Sequence, residues 1–161
     1  MITLLNLKDG AAHLEQLARW HHQQWSYLNP DETLDQRIIR MQRYLHGQLI
    51  PATFIAVEDE LLGSAALVEN DMETRPQLSP WLASVYVAPK HRRRGVGSRL
   101  VLHAMKQAKQ GGIDMLYLFT PDKEFFYHKL GWRLICHEQY LGHQVAVMQA
   151  PLTEMDFLNK L

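Results

Sequence analysis

Residues 81–111 read WLASVYVAPKHRRRGVGSRLVLHAMKQAKQG and predict a strand, a basic loop with two glycines, and a helix. Ser84–Val87 has the β-branched and aromatic content of a buried strand, and Pro89 ends it. From Val96 onward the apolar residues recur with helical spacing, and Gly111 is a typical helix stop. The rest of the chain is interpreted around this strand, loop and helix.

The loop between this strand and this helix has the features of an anion site. Gly95 and Gly97 carry no Cβ, so an anion can approach the main chain closely. The start of a helix presents unpaired N–H groups and the positive end of the helix dipole, which together favour a phosphate. Arginines at this helix end oppose the dipole unless an anion lies beside them. The loop therefore predicts a phosphate site formed by Arg92, Arg93, Arg94, Gly95, Val96, Gly97 and Ser98.

Length and composition favour one globular domain spanning residues 1–161. Hydrophobic residues make up 47% of the chain and the formal net charge is zero, so no global field attracts nucleic acid or an acidic membrane. The single cysteine, Cys136, excludes an internal disulfide and suits a reducing compartment. Polar residues follow the first five at once, and no apolar run approaches the ~20 residues of a membrane span. We expect a soluble, cytoplasmic protein.

The remaining segments predict an α/β (α+β) protein with the order β-α-α-β-β-β-α-β-α-β-β. Both strands flanking the 96–110 helix should be parallel by the right-handed crossover rule. A mixed central sheet of about six to seven strands, with helices on both faces, follows from this order. The other strands are expected at Ile2–Leu7, Thr53–Glu58, Leu61–Glu69, Met115–Thr120, Trp132–Tyr140 and Gln144–Ala150. The other helices are expected from Asp9 to about Gln24, from Asn29-Pro30 to near Gly47, and from Thr120-Pro121 to Leu130-Gly131.

Two motifs resemble those of the GNAT (GCN5-related) N-acetyltransferases. Arg92-x-x-Gly95-x-Gly97 resembles that family's acetyl-CoA signature, (Q/R)-x-x-G-x-(G/A), whereas neither a Walker A loop nor a GxGxxG motif is present. The run FFYHKLGW, residues 125–132, resembles the family's late motif. The element order is also that of the family, so the resemblance covers essentially the whole chain.

The resemblance implies an enzyme that moves an acetyl group from acetyl-CoA to a primary amine by direct attack in a ternary complex, without a metal. The basic loop would bind the diphosphate. Main-chain N–H groups at the positions of Val85 and Val87 would stabilise the oxyanion of the transition state. Tyr127 would contact the cofactor and protonate the leaving thiolate as a general acid, since a phenol pKa near ~10 suits a thiol pKa near ~8.5. A packing role for Tyr127 is the alternative.

Other parts of the implied site are less defined by the sequence. The family often has an asparagine seven residues before the tyrosine, but this chain has Thr120, which could cap a helix instead. No motif fixes the base that deprotonates the acceptor: Glu69 and Asp71 are candidates, and a water relay or a merely solvated acidic loop are alternatives. Trp25, Tyr27 and Glu73 are candidates for binding a small-molecule or peptide amine, although tryptophans also pack cores.

Proteins of other classes share some of these features. A catalytically inactive GNAT-fold protein that senses CoA is one alternative, and a nucleic-acid-binding module that uses the basic run Lys90–Arg94 is another. The nine histidines show no metal-binding spacing. Cys136 is expected to be a small buried hydrophobe rather than a nucleophile. The sequence leaves open whether the protein is a monomer or a homodimer.

Overall fold

A computed structural model describes all of residues 1–161, and a seven-stranded sheet forms its centre. The strands are β1 (Thr3–Asn6), β2 (Ala52–Glu58), β3 (Glu60–Val68), β4 (Trp81–Val87), β5 (Met115–Thr120), β6 (Arg133–Tyr140) and β7 (His143–Pro151). The helices are α1 (Leu14–Trp25), α2 (Leu34–Met41), α3 (Val96–Gln110) and α4 (Glu124–Lys129). None of the helices is long and apolar enough to cross a membrane.

The strands lie in the order β1-β2-β3-β4-β5-β7-β6, and β4 with β5 is the parallel pair. The other neighbouring strands pair antiparallel. This mixed sheet and the order of its elements confirm the predicted fold class. The parallel pair also confirms the crossover expected around α3.

Two apolar cores lie on the two faces of the sheet, as strand alternation requires. On one face α3 packs through Leu100, Val101 and Met105 against residues such as Leu82 of β4. On the other face α1 and α2 pack against residues that include Trp81, the immediate neighbour of Leu82. The sheet therefore separates a layer that contains α3 from a layer that contains α1 and α2.

A β-bulge interrupts this alternation in the middle of β4. Ser64 of β3 pairs with Tyr86 and Ala66 pairs with Ala83, so two residues of β4 stand opposite one residue of β3. Ser84 absorbs the irregularity in the left-handed region, with φ of 52°. The extra residue moves Tyr86 to the α1 face, where its ring lies 5.6 Å from that of Trp20. Val85 and Val87 consequently pack on the α3 face.

β4 and β5 diverge after one point of contact. Trp81 and Tyr117 are their only paired residues, and the N–H of Tyr117 donates to the carbonyl of Pro80. Beyond Trp81, β4 has no partner strand on this side, so the sheet opens into a cleft between the two strands.

Both N-terminal helices begin later than predicted. Gly10 is non-helical (φ −132°, ψ 42°), so residues 7–13 form 3₁₀ turns and α1 begins at Leu14. Thr33 and Gln36 form a reciprocal capping box, so α2 begins at Leu34 and not at Asn29-Pro30. A stronger local cap at Thr33 thus overrides the Asn-Pro start signal.

Two further expectations are corrected near the C-terminus. α4 begins at Glu124, and the hydroxyl of Thr120 accepts the Lys123 N–H at 3.0 Å before it. Cys136 is not a buried hydrophobe: it is half-buried on β6, and its Sγ lies 3.2 Å from the Arg75 guanidinium. Arg75, from the loop before β4, extends over β6 to this thiol. The sequence around position 136 could not indicate that contact.

Candidate active site

The loop before α3 presents a continuous run of free backbone donors. Arg93 and Gly95 lie in the left-handed region, with φ of 65° and 76°. The first helical bond joins the Arg99 N–H to the Gly95 carbonyl at 3.1 Å, and no N–H from Arg93 to Ser98 has an acceptor in the chain. Such a concave run of N–H groups at a helix start binds an anion. This loop therefore fits a diphosphate.

The basic side chains of the loop divide between the cleft and the surface. Arg92 and Arg93 line the cleft, and Arg92 Nε donates to the Val87 carbonyl at 2.8 Å. Arg94 turns away and its Nη2 lies 2.6 Å from a carboxylate oxygen of Glu58. Lys90 and His91 both contact Glu60 at 2.9 Å. Among the three arginines of this loop, Arg92 and Arg93 therefore line the cleft without a carboxylate partner, whereas Arg94 is paired.

A cleft of about 1070 Å³ joins this loop to the opposite face of the sheet through the gap between β4 and β5. Its walls include Gly95, Gly97 and Tyr127 on the α3 face. On the α1 face they include Trp25 and Tyr27. Of the predicted site residues, the cleft is lined by Trp25, Tyr27, Asp71, Val85, Val87, Arg92, Arg93, Gly95, Val96, Gly97, Ser98 and Tyr127.

The edge of β4 presents two backbone donors to this cleft. Because the Ala88 N–H donates to the Leu62 carbonyl of β3, the alternation of the ladder turns the Tyr86 N–H towards β3 as well. The Val87 N–H therefore points the other way, to the side where β5 has diverged. The Val85 N–H does the same, because the carbonyl of its own trans peptide unit, that of Ser84, accepts from the Ser64 hydroxyl on the β3 side. These are the two positions that the family resemblance implied.

A buried chain of hydrogen bonds stabilises the bulge from the α1 face of the sheet. The Ser64 hydroxyl donates to the Ser84 carbonyl at 2.9 Å, so it must accept from Nε2–H of His21, also at 2.9 Å. Burial, with the positive charges of Arg37 and Arg40, lowers the pKa of His21 to about 3, so this imidazole is neutral. Sequence reasoning assigned no role to His21 or Ser64, because only the fold brings them to β4.

Tyr127 enters the cleft from α4 and is 7% exposed. Its ring meets those of Phe126 and Trp132 edge-on, with centroids 5.0 and 6.1 Å apart. Burial, with a smaller contribution from Asp122, raises the pKa of the Tyr127 phenol well above its usual value. The hydroxyl thus keeps its proton throughout the neutral range.

Asp71 is the only one of the three candidate acids to line the cleft. Glu69 and Glu73 are exposed and lie outside it. Asp71 is half-buried, and the desolvation of its carboxyl group raises its pKa to about 7 against the opposing effect of Arg43. A carboxyl group with this pKa can exchange a proton with a substrate near neutral pH.

No group of three His, Cys, Asp or Glu side chains is arranged to hold a metal ion. The ionisable groups that line the cleft are carboxyl, phenol, imidazole, ammonium and guanidinium groups. The chemistry available to these residues is hydrogen bonding, anion binding and proton transfer.

Comparison with known proteins places this architecture in one family. The family model described as "Acetyltransferase (GNAT) family" matches residues 14–132, and the chain belongs to that family. No curated protein sequence gives a significant match.

Several solved structures share the fold at low sequence identity. A spermidine N-acetyltransferase chimera from Vibrio cholerae and hSSAT is 19% identical with a TM-score of 0.72, over 98% of both chains. An aminoglycoside 6'-acetyltransferase type Ii is 20% identical with a TM-score of 0.70, over 94% of this chain and 97% of its own. The Salmonella typhimurium protein yncA, solved with its cofactor acetyl-CoA, is 16% identical with a TM-score of 0.69 over 94% of both chains.

Proposed function

We propose that this protein transfers an acetyl group from acetyl-CoA to a primary amine of a small molecule or peptide within a ternary complex, and that residues 1–161 form a single domain for this reaction. One observation carries the proposal. A single cleft connects the free N–H groups of the α3 loop, the unpaired edge of β4 and Tyr127 with a wall on the other face that contains Asp71 and several aromatic rings. A donor and an acceptor can thus enter from opposite faces and meet at β4.

The donor side is built from the chain's own backbone. The N–H groups from Arg93 to Ser98, with the charges of Arg92 and Arg93, would hold the diphosphate. When bound, acetyl-CoA supplies the thioester whose carbonyl carbon the amine nitrogen attacks, with cleavage of the carbon–sulfur bond. The Val85 and Val87 N–H groups would donate to the carbonyl oxygen as it becomes negative.

Asp71 is the base in this proposal. An amine arrives mostly as ammonium and must lose a proton before it can attack, and a carboxylate with a pKa of about 7 is matched to that step. The accepted proton then passes to solvent, which regenerates the carboxylate. Glu69 and Glu73 are not assigned a direct role, because they lie outside the cleft.

Tyr127 is the acid. The phenol would donate its proton to the departing sulfur and regain one from the acceptor nitrogen, which must shed a second proton as the amide forms. The raised pKa of Tyr127 is compatible with this role, because the same desolvation also raises the pKa of a thiol held beside it. Thr120, where the family often has asparagine, lines the cleft and caps the turn before α4.

The test is a CoA-release assay against a panel of amines and peptides, with Tyr127→Phe as the diagnostic variant. We expect Tyr127→Phe to lower kcat by about 10²-fold or more, the usual size of an acid–base contribution, with little change in acetyl-CoA affinity measured by calorimetry. Phe125→Leu is the control, because Phe125 is 73% exposed and lies outside the cleft. An unchanged kcat would remove Tyr127 from the mechanism.

The same panel separates the proposal from a protein that only senses CoA. Such a protein would bind acetyl-CoA and release none from any amine. The alternative of a nucleic-acid-binding module is disfavoured by the ion pairs of Lys90, His91 and Arg94 with Glu58 and Glu60, which neutralise most of the basic run.

A further inference from the structure

Arg37 of α2 is a buried guanidinium whose terminal nitrogens have no partner in the chain. Its side chain is 8% exposed, and its only polar contacts are made by Nε, at 3.4 Å from both His22 Nδ1 and Glu32 Oε1. The Nη nitrogens are not sealed from solvent, and Arg37 lines the cleft. Arg37 therefore brings unpartnered donors to the wall of the cleft.

The neighbouring ion pair does not satisfy this charge. Both carboxylate oxygens of Glu32 accept hydrogen bonds from Arg40, from Nε at 2.7 Å and from Nη2 at 3.0 Å. Arg37 and Arg40 thus share a single carboxylate, and one positive charge remains uncompensated. Burying a charge without a partner is costly, and the desolvation of Arg37 lowers its pKa accordingly. An anionic ligand in the cleft would supply the missing partner.

The diphosphate of the donor is not that anion. Arg37 belongs to the α1 and α2 layer, where Met41 and Tyr44 of the same segment pack into the core of that face. The free N–H groups of the phosphate loop lie at the start of α3, on the other face of the sheet. Arg37 nevertheless lines the same cleft as Val85 and Val87 of β4.

We propose that the acceptor carries an anionic oxygen group, a carboxylate or a phosphate, beside its reactive amine, and that Arg37 binds this anion through its two Nη groups. The inference rests on the proposed acetyl transfer and narrows its acceptor class. A planar guanidinium fork fits a carboxylate or phosphate in a bidentate manner. Spermidine and aminoglycosides, which name two of the structural neighbours, are polycations and would place like charge against Arg37.

The experiment compares matched acceptors that differ only in the anion. The pairs are glutamyl and glutaminyl peptide amides, β-alanine and β-alaninamide, and 2-aminoethyl phosphate and ethanolamine, with spermidine as a polycation. We expect the anionic member of at least one pair to have a kcat/KM about 10- to 100-fold higher, the range for hydrogen bonds to a charged group. The pair that responds distinguishes a peptide side chain, a free carboxylate and a phosphate.

Arg37 variants test whether this side chain causes the preference. Arg37→Met should remove it mainly through KM, and Arg37→Lys should restore only part of it, because an ammonium keeps the charge but not the fork. The matched control is Arg19→Met on α1, an exposed arginine paired with Glu15 outside the cleft. If Arg37→Met does not fold, the comparison of acceptor pairs on the unchanged protein still decides whether an anionic acceptor is preferred.

Binding measurements test the proposed acetyl transfer and the proposed anion preference of Arg37 separately. Calorimetry with acetyl-CoA tests the donor side alone. If acetyl-CoA binds and no acceptor turns over, the proposed transfer is wrong, and binding of the N-acetylated glutamyl and glutaminyl peptides to the CoA complex then decides the anion preference. Equal affinity within every pair, or a preference for spermidine, would overturn the assignment of Arg37.

Discussion

At the scale of single residues, the protonation state of Asp71 should set the pH dependence of the reaction rate. Its pKa of about 7 predicts that kcat/KM for an amine acceptor rises with pH and bends near pH 7. Asp71→Asn should lower kcat/KM by about 10²-fold or more and abolish the bend. Glu69→Gln, an exposed acid outside the cleft, is the matched control and should keep both rate and profile. A bend that survives in Asp71→Asn would assign the base to another group or to water.

The same residue predicts a change in stability. The folded protein binds the Asp71 proton more tightly than the unfolded chain, whose carboxyl pKa is near the ordinary 3.8. Between these two pKa values the native state therefore holds more protons, so this group makes stability fall as pH rises from about 4 to 7. Asp71→Asn should be more stable than the unchanged protein at pH 8, and the difference should vanish near pH 4, as measured by urea unfolding. A destabilised Asn variant at pH 8 would contradict the burial of this acid.

The contribution of His21 to stability changes with pH in the opposite direction to that of Asp71. Its folded pKa of about 3 lies below the unfolded value of 6.5, so its contribution is complete above pH 6.5 and is lost as pH falls towards 3. At pH 5 the loss should be about 2 kcal/mol, and His21→Gln should remove that part of the pH dependence. The exposed His46→Gln should leave the pH dependence unchanged. Parallel stability curves for His21→Gln and the unchanged protein would show that His21 protonates freely in the fold.

At the scale of elements, the sequence was most informative where one segment determines its own structure. The α3 loop could be predicted because its glycines and the following helical stripe are adjacent in the chain. The bulge in β4 could not, since the Ser84 carbonyl is held by the Ser64 hydroxyl, which is itself held by His21, and these contacts arise only when the sheet and α1 come together. Arg94 illustrates the same limit: the motif placed it at the phosphate, but Glu58 on β2 holds its side chain away. Arg37 was missed because its neighbours come from α1 and from the segment before α2.

Substitutions at the N-terminus of α3 test whether the loop before it binds the diphosphate. A Cβ at Gly97 would lie 3.6 Å from both Phe126 and Val87, an ordinary contact, so Gly97→Ala should fold and still bind acetyl-CoA. Gly97→Asp should also fold, since a carboxylate favours a helix start, but its charge would occupy the place of the diphosphate. Calorimetry should give at least about 10-fold weaker acetyl-CoA binding for Gly97→Asp than for Gly97→Ala. Equal affinities would mean that the anion does not bind at this helix end.

At the scale of the whole molecule, the cleft separates the sheet between β4 and β5, which share one paired position. The part of the sheet formed by β5 to β7 and the part formed by β1 to β4 are joined there and through the apolar cores on both faces of the sheet. A donor that contacts both the α3 loop and Tyr127 of α4 would connect these two parts. Binding should therefore stabilise the molecule as a unit and not only order a loop.

Acetyl-CoA should raise the Tm of the whole chain in one cooperative step. A ligand at 100 times its Kd stabilises by about 2.7 kcal/mol, which for a chain of this size corresponds to a shift of roughly 5–10 °C. Gly97→Asp should lose most of the shift and Gly97→Ala should keep it. Because three of the five basic side chains of the Lys90–Arg94 run are paired with Glu58 or Glu60, a DNA duplex at moderate salt should give no shift. A protein that is unaffected by millimolar acetyl-CoA but stabilised by DNA would reverse the assignment of the loop, because its free N–H groups would then bind a phosphodiester backbone.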